Sequence, residues 1–96
     1  MNKKGNIMIK LQNIDEIIIN IQEILQREEE NLVFNFEKIE RDRSYRKDRV
    51  VIIEKLIHII NELISRKMIE NNYKKIVEEM LLKLRYILND LKSIDQ

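Results

Sequence analysis

The side chains best suited to chemistry in this chain lie in one short segment, residues 40–49, where basic, acidic, hydroxyl and aromatic side chains alternate. Four of the seven arginines in the chain fall within nine positions there. A guanidinium group pairs with carboxylates or phosphates through parallel hydrogen bonds, and a tyrosine beside it can stack on a nucleobase. We therefore expect a partner to bind at this basic cluster. Its candidate contact residues are Arg41, Arg43, Tyr45, Arg46, Lys47 and Arg49.

Other interpretations of the basic cluster stay open at this point. Charged residues gather at helix junctions because they are solvated there, and Asp42 and Asp48 are placed to pair with the arginines. The whole chain has 18 basic and 17 acidic residues, a formal net charge of +1. A general polyanion binder shows a strong basic excess, so any nucleic-acid site must be local. We expect a protein partner, with a nucleic-acid-binding accessory subunit as the alternative.

Residue types that carry catalysis or bind metals are scarce. The chain has no cysteine and one histidine, His58. This excludes a thiol nucleophile, a cysteine-based metal site and a histidine cluster. No serine or acid is spaced to form a known catalytic group with His58, which we interpret as a surface residue of a helix. We expect no enzymatic activity, no metal and no cofactor.

The elements that position these residues follow from the apolar residues, which recur at spacings of three and four, the period of an α-helix. The chain has no proline, and Gly5 is its only glycine, so little in the backbone forces a helix to stop. The pattern predicts a single all-α domain, 1–96, folded as a mostly antiparallel bundle of three helices. These are expected at about 6–40, 46–66 and 71–95, with Asn6 or Asn13 as the first cap and the earlier start favoured.

Residues 40–49 are either a break between the first two helices or part of one helix from Ile7 to Ile64. In an unbroken helix, Arg43 and Arg46 would lie on the apolar stripe, and burying unpaired guanidinium groups costs several kcal/mol. We therefore expect a break in this segment. The candidate caps for the helix that follows are Asp42, Ser44 and Asp48.

Two features indicate self-association or further contacts. The first helix is longer than the helices that pack on it, so its end past Leu25 would lack cover within one chain, and we expect a homodimer to complete the bundle. Leu82 and Tyr86 are four positions apart on the face of the third helix that should be exposed. We interpret them as a possible secondary interface.

A long helix, a shorter one and a medium one follow one another within 96 residues, and five charged residues lie at comparable heights along them: Lys10, Arg27, Lys38, Asp48 and Arg49. This layout resembles the all-α chorismate mutases, a family of intertwined dimers that bind a dianionic substrate with Arg, Lys, Glu and Gln. The family's Arg-Glu pair is not reproduced, because Val50 follows Arg49. Leu84 and Leu88 lie near the level of the third helix at which that family has polar residues. The resemblance is one of helix lengths, and it implies an enzyme as a third possibility.

These patterns predict a small non-enzymatic regulatory, adaptor or inhibitor protein that binds another protein through helix faces and the basic cluster. Abundant Ile, Lys and Asn with almost no Ala, Pro or Gly is what AT-rich codons produce, so we expect a phage, plasmid or low-GC bacterial source. No apolar run approaches the ~18 residues of a membrane span, and the N-terminus lacks the apolar run and cleavage site of a signal peptide. We expect a cytoplasmic protein without membrane contact.

Overall fold

The structure is a computed structural model that describes residues 13–96. Over this range it contains three long helices and one short one: α1 Ile14–Phe34, α2 Phe36–Arg41, α3 Arg43–Ser65 and α4 Asn71–Ile94. Residue contacts place α1 and α4 side by side in the same direction, with α3 antiparallel to both. The predicted all-α bundle of three long helices is confirmed, and the part of the chain described here contains no strand.

The start of α1 is fixed by Asn13. Its backbone is extended, and its side-chain oxygen accepts a hydrogen bond from the backbone N–H of Glu16 at 3.2 Å. This is one of the two predicted caps, and it places the start of α1 at Ile14. Residues 1–12, over which the earlier start was predicted, lie outside the described residues.

The first long helix is divided at Asn35, which the apolar pattern did not predict. Asn35 leaves helical geometry at φ −120° and ψ 28°, and its side-chain amide donates a hydrogen bond to Asn31 at 2.8 Å. Asparagine side chains offer the backbone such local alternatives to a helix. Beyond the break, α2 packs on α3 and buries Ile39 completely. The end of the first segment past Leu25 is therefore covered in part within one chain, at Ile39, while Phe34 stays exposed. The homodimer that was predicted to cover this end stays a prediction.

The predicted break in residues 40–49 is confirmed, and it lies at Asp42. Asp42 is extended, at φ −105° and ψ 100°, and its side chain accepts a hydrogen bond from the backbone N–H of Tyr45 at 3.0 Å. Asp42 is therefore the cap of α3, while Ser44 and Asp48 lie within that helix. The alternative interpretation, one helix from Ile7 to Ile64, is wrong.

The turn between α3 and α4 is closed at Lys67, which has a positive φ of 57°. The N–H of Met68 donates to the carbonyl of Leu63 at 2.9 Å, and the N–H of Lys67 to that of Ile64 at 3.0 Å. This is the Schellman arrangement, which satisfies free carbonyls at a helix end. Glu70 precedes α4 in the cap position, without a side-chain hydrogen bond.

One apolar core joins the three long helices and α2. Its buried residues are Ile18, Ile21, Leu25, Ile39, Ile53, Leu56, Ile60, Leu63, Val77, Met80, Leu84, Ile87 and Leu91. These residues keep the apolar spacings of three and four that predicted the helices. The two phenylalanines, Phe34 and Phe36, are not among them. None of the helices over residues 13–96 has both the length and the apolar character that crossing a bilayer requires.

Candidate functional site

The start of α3 divides the predicted basic cluster into an internal half and an exposed half. Because Asp42 fixes where α3 begins, it also fixes which side chains turn toward the neighbouring helices. Three cluster residues, Tyr45, Arg46 and Arg49, are buried or half-buried, and the other three, Arg41, Arg43 and Lys47, are exposed. The structure therefore brings the six residues to one end of the bundle but does not present them on one surface.

Arg46 is buried, and both of its terminal nitrogens are hydrogen-bonded by the chain itself. One terminal nitrogen donates to the carbonyl oxygens of Ile39 at 2.6 Å and Glu40 at 3.0 Å, and the other donates to Asp95 Oδ1 at 2.5 Å. The last carbonyls of a helix lack partners within that helix, so Arg46 satisfies the end of α2 while holding the end of α4. Its Nε is buried without a hydrogen-bond partner among residues 13–96. Arg46 thus joins three helices.

Arg49 pairs with Glu28, which is the single interruption of the α1 apolar stripe. Arg49 Nη1 lies 3.2 Å from Glu28 Oε2, and Glu28 is buried. Burial raises the pKa of Glu28, while the charge of Arg49, a hydrogen bond with Asn31 and the charge of Arg27 act in the opposite direction. The pair links α1 to α3 and explains why a carboxylate occupies a core position.

Tyr45 already contacts two cations of its own chain. Lys38 Nζ lies 4.5 Å from the centre of the Tyr45 ring, and Arg49 Cζ lies 4.8 Å from it. Cations this close to an aromatic ring are attracted to its electron-rich face. A nucleobase that stacked on Tyr45 would have to displace these contacts.

The exposed half of the cluster lies near the end of α4. The hydrogen bond from Arg46 holds the pKa of Asp95 below its ordinary value, and the positive charges of Arg46, Arg43 and Lys47 act in the same direction. Arg43 and Lys47 are four positions apart on α3 and so lie on one face of it. These two residues and Arg41 are the part of the predicted site that meets solvent.

A second exposed feature was missed by sequence reasoning, and we call it the α1–α2 surface: Val33, Phe34 and Phe36. Their exposed fractions are 72%, 80% and 47%. Phe36 keeps the spacing of three and four with Leu32 and Ile39, but the change of direction at Asn35 puts it out of phase with the α1 stripe. The sequence does contain one signal of this surface: Phe34 is an aromatic residue outside that stripe, and it precedes Asn35, a residue type that disfavours a helix. Both phenylalanines of the chain lie on this surface.

The predicted secondary interface lies on the outer face of α4. Leu82 is 58% exposed and Tyr86 is 64% exposed. The structure thus places both residues in solvent, as expected, and their role as an interface stays a prediction. His58 is also exposed, on α3.

A groove of about 420 Å³ lies between α1 and α3, with Glu28 and Arg49 in its wall. Of the charged residues that the chorismate mutase resemblance placed together, the groove contains Arg27 and Arg49. Lys38 lies against Tyr45 instead, and Lys10 is outside the described residues. Within the described part of the chain, no three His, Asp or Glu side chains converge to hold a metal ion.

Comparison with known proteins found no matching family model, no matching curated protein and no matching solved structure. Function is therefore inferred from the chain's own geometry.

Proposed function

We propose that this chain is a small non-enzymatic protein that acts by binding another protein, as an adaptor or an inhibitor does. The observation that carries the proposal is the α1–α2 surface, where both phenylalanines are exposed beside an exposed valine. In the same region the groups able to do chemistry, Glu28, Arg46 and Arg49, are paired with one another or with the backbone.

The exposed phenylalanines have an energetic consequence. Moving such a side chain from water into an apolar environment contributes about 1.5–3 kcal/mol, and the core of this fold forgoes that contribution at both positions. Single exposed apolar residues are common on protein surfaces. Two aromatic residues and a valine within four positions of one helix junction form a patch, and aromatic residues are enriched at the centres of protein–protein interfaces. We propose that a partner covers Phe34 and Phe36.

The exposed charged residues that follow this surface along the chain are of both signs, among them Glu37, Glu40, Arg41, Arg43 and Lys47. Arg41 ends α2 and Arg43 begins α3, so both follow Phe36 closely along the chain, and Lys47 lies one turn further on. We propose that these three exposed cations contact acidic groups at the edge of a partner's apolar cleft. Charged groups at the rim of an interface act mainly on association rate and specificity. Tyr45, Arg46 and Arg49 would then support the surface from within.

A nucleic-acid partner is the less favoured alternative. The aromatic residue predicted to stack, Tyr45, is occupied by Lys38 and Arg49. Only three of the cluster's five cations are exposed, in a chain of net charge +1. Contacts made mainly to phosphates would also leave the exposed phenylalanines uncovered.

The proposal is tested by capturing partners on the immobilised chain from an extract of its native host, and rebuilding the complex from the purified partner. We expect the complex to be lost in the double variant Phe34→Ser, Phe36→Ser. The matched control is Ile19→Ser, which also removes an exposed apolar side chain from α1 and should bind as the wild type does. Equal binding by the double variant would contradict the proposal, as would recovery of nucleic acid alone.

A further inference from the structure

The outer face of α4 combines exposed apolar and charged residues in an order that complements itself. Glu78, Leu82, Arg85 and Tyr86 are all exposed and follow one another at helical spacings. At ~100° per residue, Leu82 lies about 160° around the helix from the fully buried Leu84, so this face points away from the core. Neither Glu78 nor Arg85 makes an ion pair within residues 13–96.

We propose that two copies of this chain associate through α4, with the two helices antiparallel about a two-fold axis near Leu82. A two-fold interface uses the same patch on both copies, so the patch must complement itself. With the axis between positions 81 and 82, the two Leu82 side chains meet at the centre. Glu78 then lies about 5 Å from the axis along one helix, and Arg85 of the other copy lies at the same level.

The angular positions of these charges agree with that arrangement. Relative to Leu82, Glu78 lies about 40° and Arg85 about 60° around the helix, on the same side. In an antiparallel pair related by a two-fold axis, side chains on the same side of each contact stripe face one another, as in antiparallel coiled coils. The contact therefore forms two Glu78–Arg85 pairs between copies. Within one helix the two residues are seven positions apart, about 10 Å along the axis, too far for a direct ion pair.

Tyr86 lies on the opposite side of the stripe. In the same arrangement its ring is level with the space between Lys75 and Glu79 of the other copy, two exposed residues with long aliphatic stems. Its hydroxyl stays at the edge of the contact, where it meets water. Both exposed apolar residues of this face are thus covered by one partner, which is a second copy of the chain.

The contact involves one helix from each copy, less than the ~800 Å² per partner of a standard stable interface. We therefore expect a weak, concentration-dependent dimer. This surface is separate from the α1–α2 surface, so either proposal can fail without the other.

The test is sedimentation of the full chain from micromolar to millimolar concentration. The average mass should rise from 11.7 kDa toward twice that value. Glu78→Arg alone and Arg85→Glu alone should each weaken self-association about tenfold, because each places like charges opposite one another. An equimolar mixture of the two variants should associate as the wild type does, and so should one chain that carries both changes.

Leu82→Glu should abolish the dimer, because it places two carboxylates at the centre of the contact. Glu23→Arg makes the same change in net charge as Glu78→Arg at an exposed position of α1, and it should leave association unaltered. Circular dichroism of every variant should show unchanged helicity, since all substituted side chains are exposed. A mass that stays at one chain throughout would overturn the proposal. So would a dimer that tolerates Leu82→Glu, or single charge variants whose mixture fails to associate.

Discussion

Arg46 and Asp95 lie 49 positions apart in sequence, and their side chains meet at 2.5 Å where α3 begins and α4 ends. The same guanidinium group bonds two carbonyl oxygens at the end of α2. The centre of the predicted binding cluster is thus a structural joint. This division between supporting and exposed residues determines what substitutions in the cluster should do.

Arg46→Met should destabilise the fold by about 2–4 kcal/mol, because it leaves two carbonyl groups and Asp95 without their donor. Arg43→Met removes an exposed guanidinium group from the same helix and should change the free energy of unfolding by less than about 0.5 kcal/mol. Urea unfolding followed by circular dichroism measures both. Equal effects of the two variants would mean that the buried joint contributes no more than an exposed arginine.

Glu28 should titrate above its ordinary pKa of 4.5, since desolvation by burial is the largest influence on it. The folded chain then binds this proton more tightly than the unfolded chain does. The resulting stabilisation is complete below the unfolded pKa and is lost as the pH rises through the folded pKa. The free energy of unfolding of the wild type, measured relative to that of Glu28→Gln, should therefore be higher in acid than at neutral pH.

Carbon-detected NMR of the Glu28 carboxyl group gives its pKa directly. Asp95 has the opposite influence: its pKa is lowered by folding, so its stabilisation is present above the unfolded pKa and is lost as the pH falls through the folded pKa. Because both proteins contain Asp95, the comparison with Glu28→Gln cancels this influence. A pKa at or below 4.5 would show that the attraction of Arg49 outweighs burial.

Asp42→Ala should cost about 1 kcal/mol, the usual loss when a helix cap is removed. Asp42→Asn keeps a side-chain oxygen for the N–H of Tyr45 and should cost much less. Ser44→Ala, at another predicted cap, should have little effect because Ser44 lies inside α3. Thermal and urea unfolding distinguish the three. A larger loss at Ser44 than at Asp42 would place the helix start elsewhere.

The sequence predicted the helices of this fold closely, but not which side chains of residues 40–49 are buried. Spacings of three and four are local, so they located α3 and α4 and most of the core. The direction change at Asn35 was not predicted, because it depends on one residue's local hydrogen bonding and not on the apolar pattern. Without that change Phe36 would follow the apolar stripe, but it is half exposed.

Arg46 shows why the burial of side chains in the basic cluster was harder to predict from the sequence. Burying an unpaired guanidinium group is costly, and that reasoning correctly indicated a break in residues 40–49. The break did not keep Arg46 exposed, because its partners come from the end of α2 and from Asp95. Those partners are brought together only by the folded chain.

The chain should not convert chorismate at saturating substrate. Leu84 is fully buried, Lys38 is turned toward Tyr45, and Val50 follows Arg49 where the family has a glutamate. Following chorismate consumption by absorbance, with a known mutase as positive control, measures this directly. Turnover that is lost in Arg49→Ala, in a variant that stays folded, would show that the proposal of a non-enzymatic role is wrong.

The most direct test of the central claim is the affinity of the rebuilt partner complex, measured by calorimetry at low and high salt. We predict that Phe34→Ser weakens binding at least about tenfold, since hot-spot truncations cost about 2 kcal/mol or more. The triple variant Arg41→Ala, Arg43→Ala, Lys47→Ala should weaken it less and reduce its salt dependence. Full affinity in Phe34→Ser, together with a steep loss of wild-type binding at high salt, would contradict binding through the α1–α2 surface.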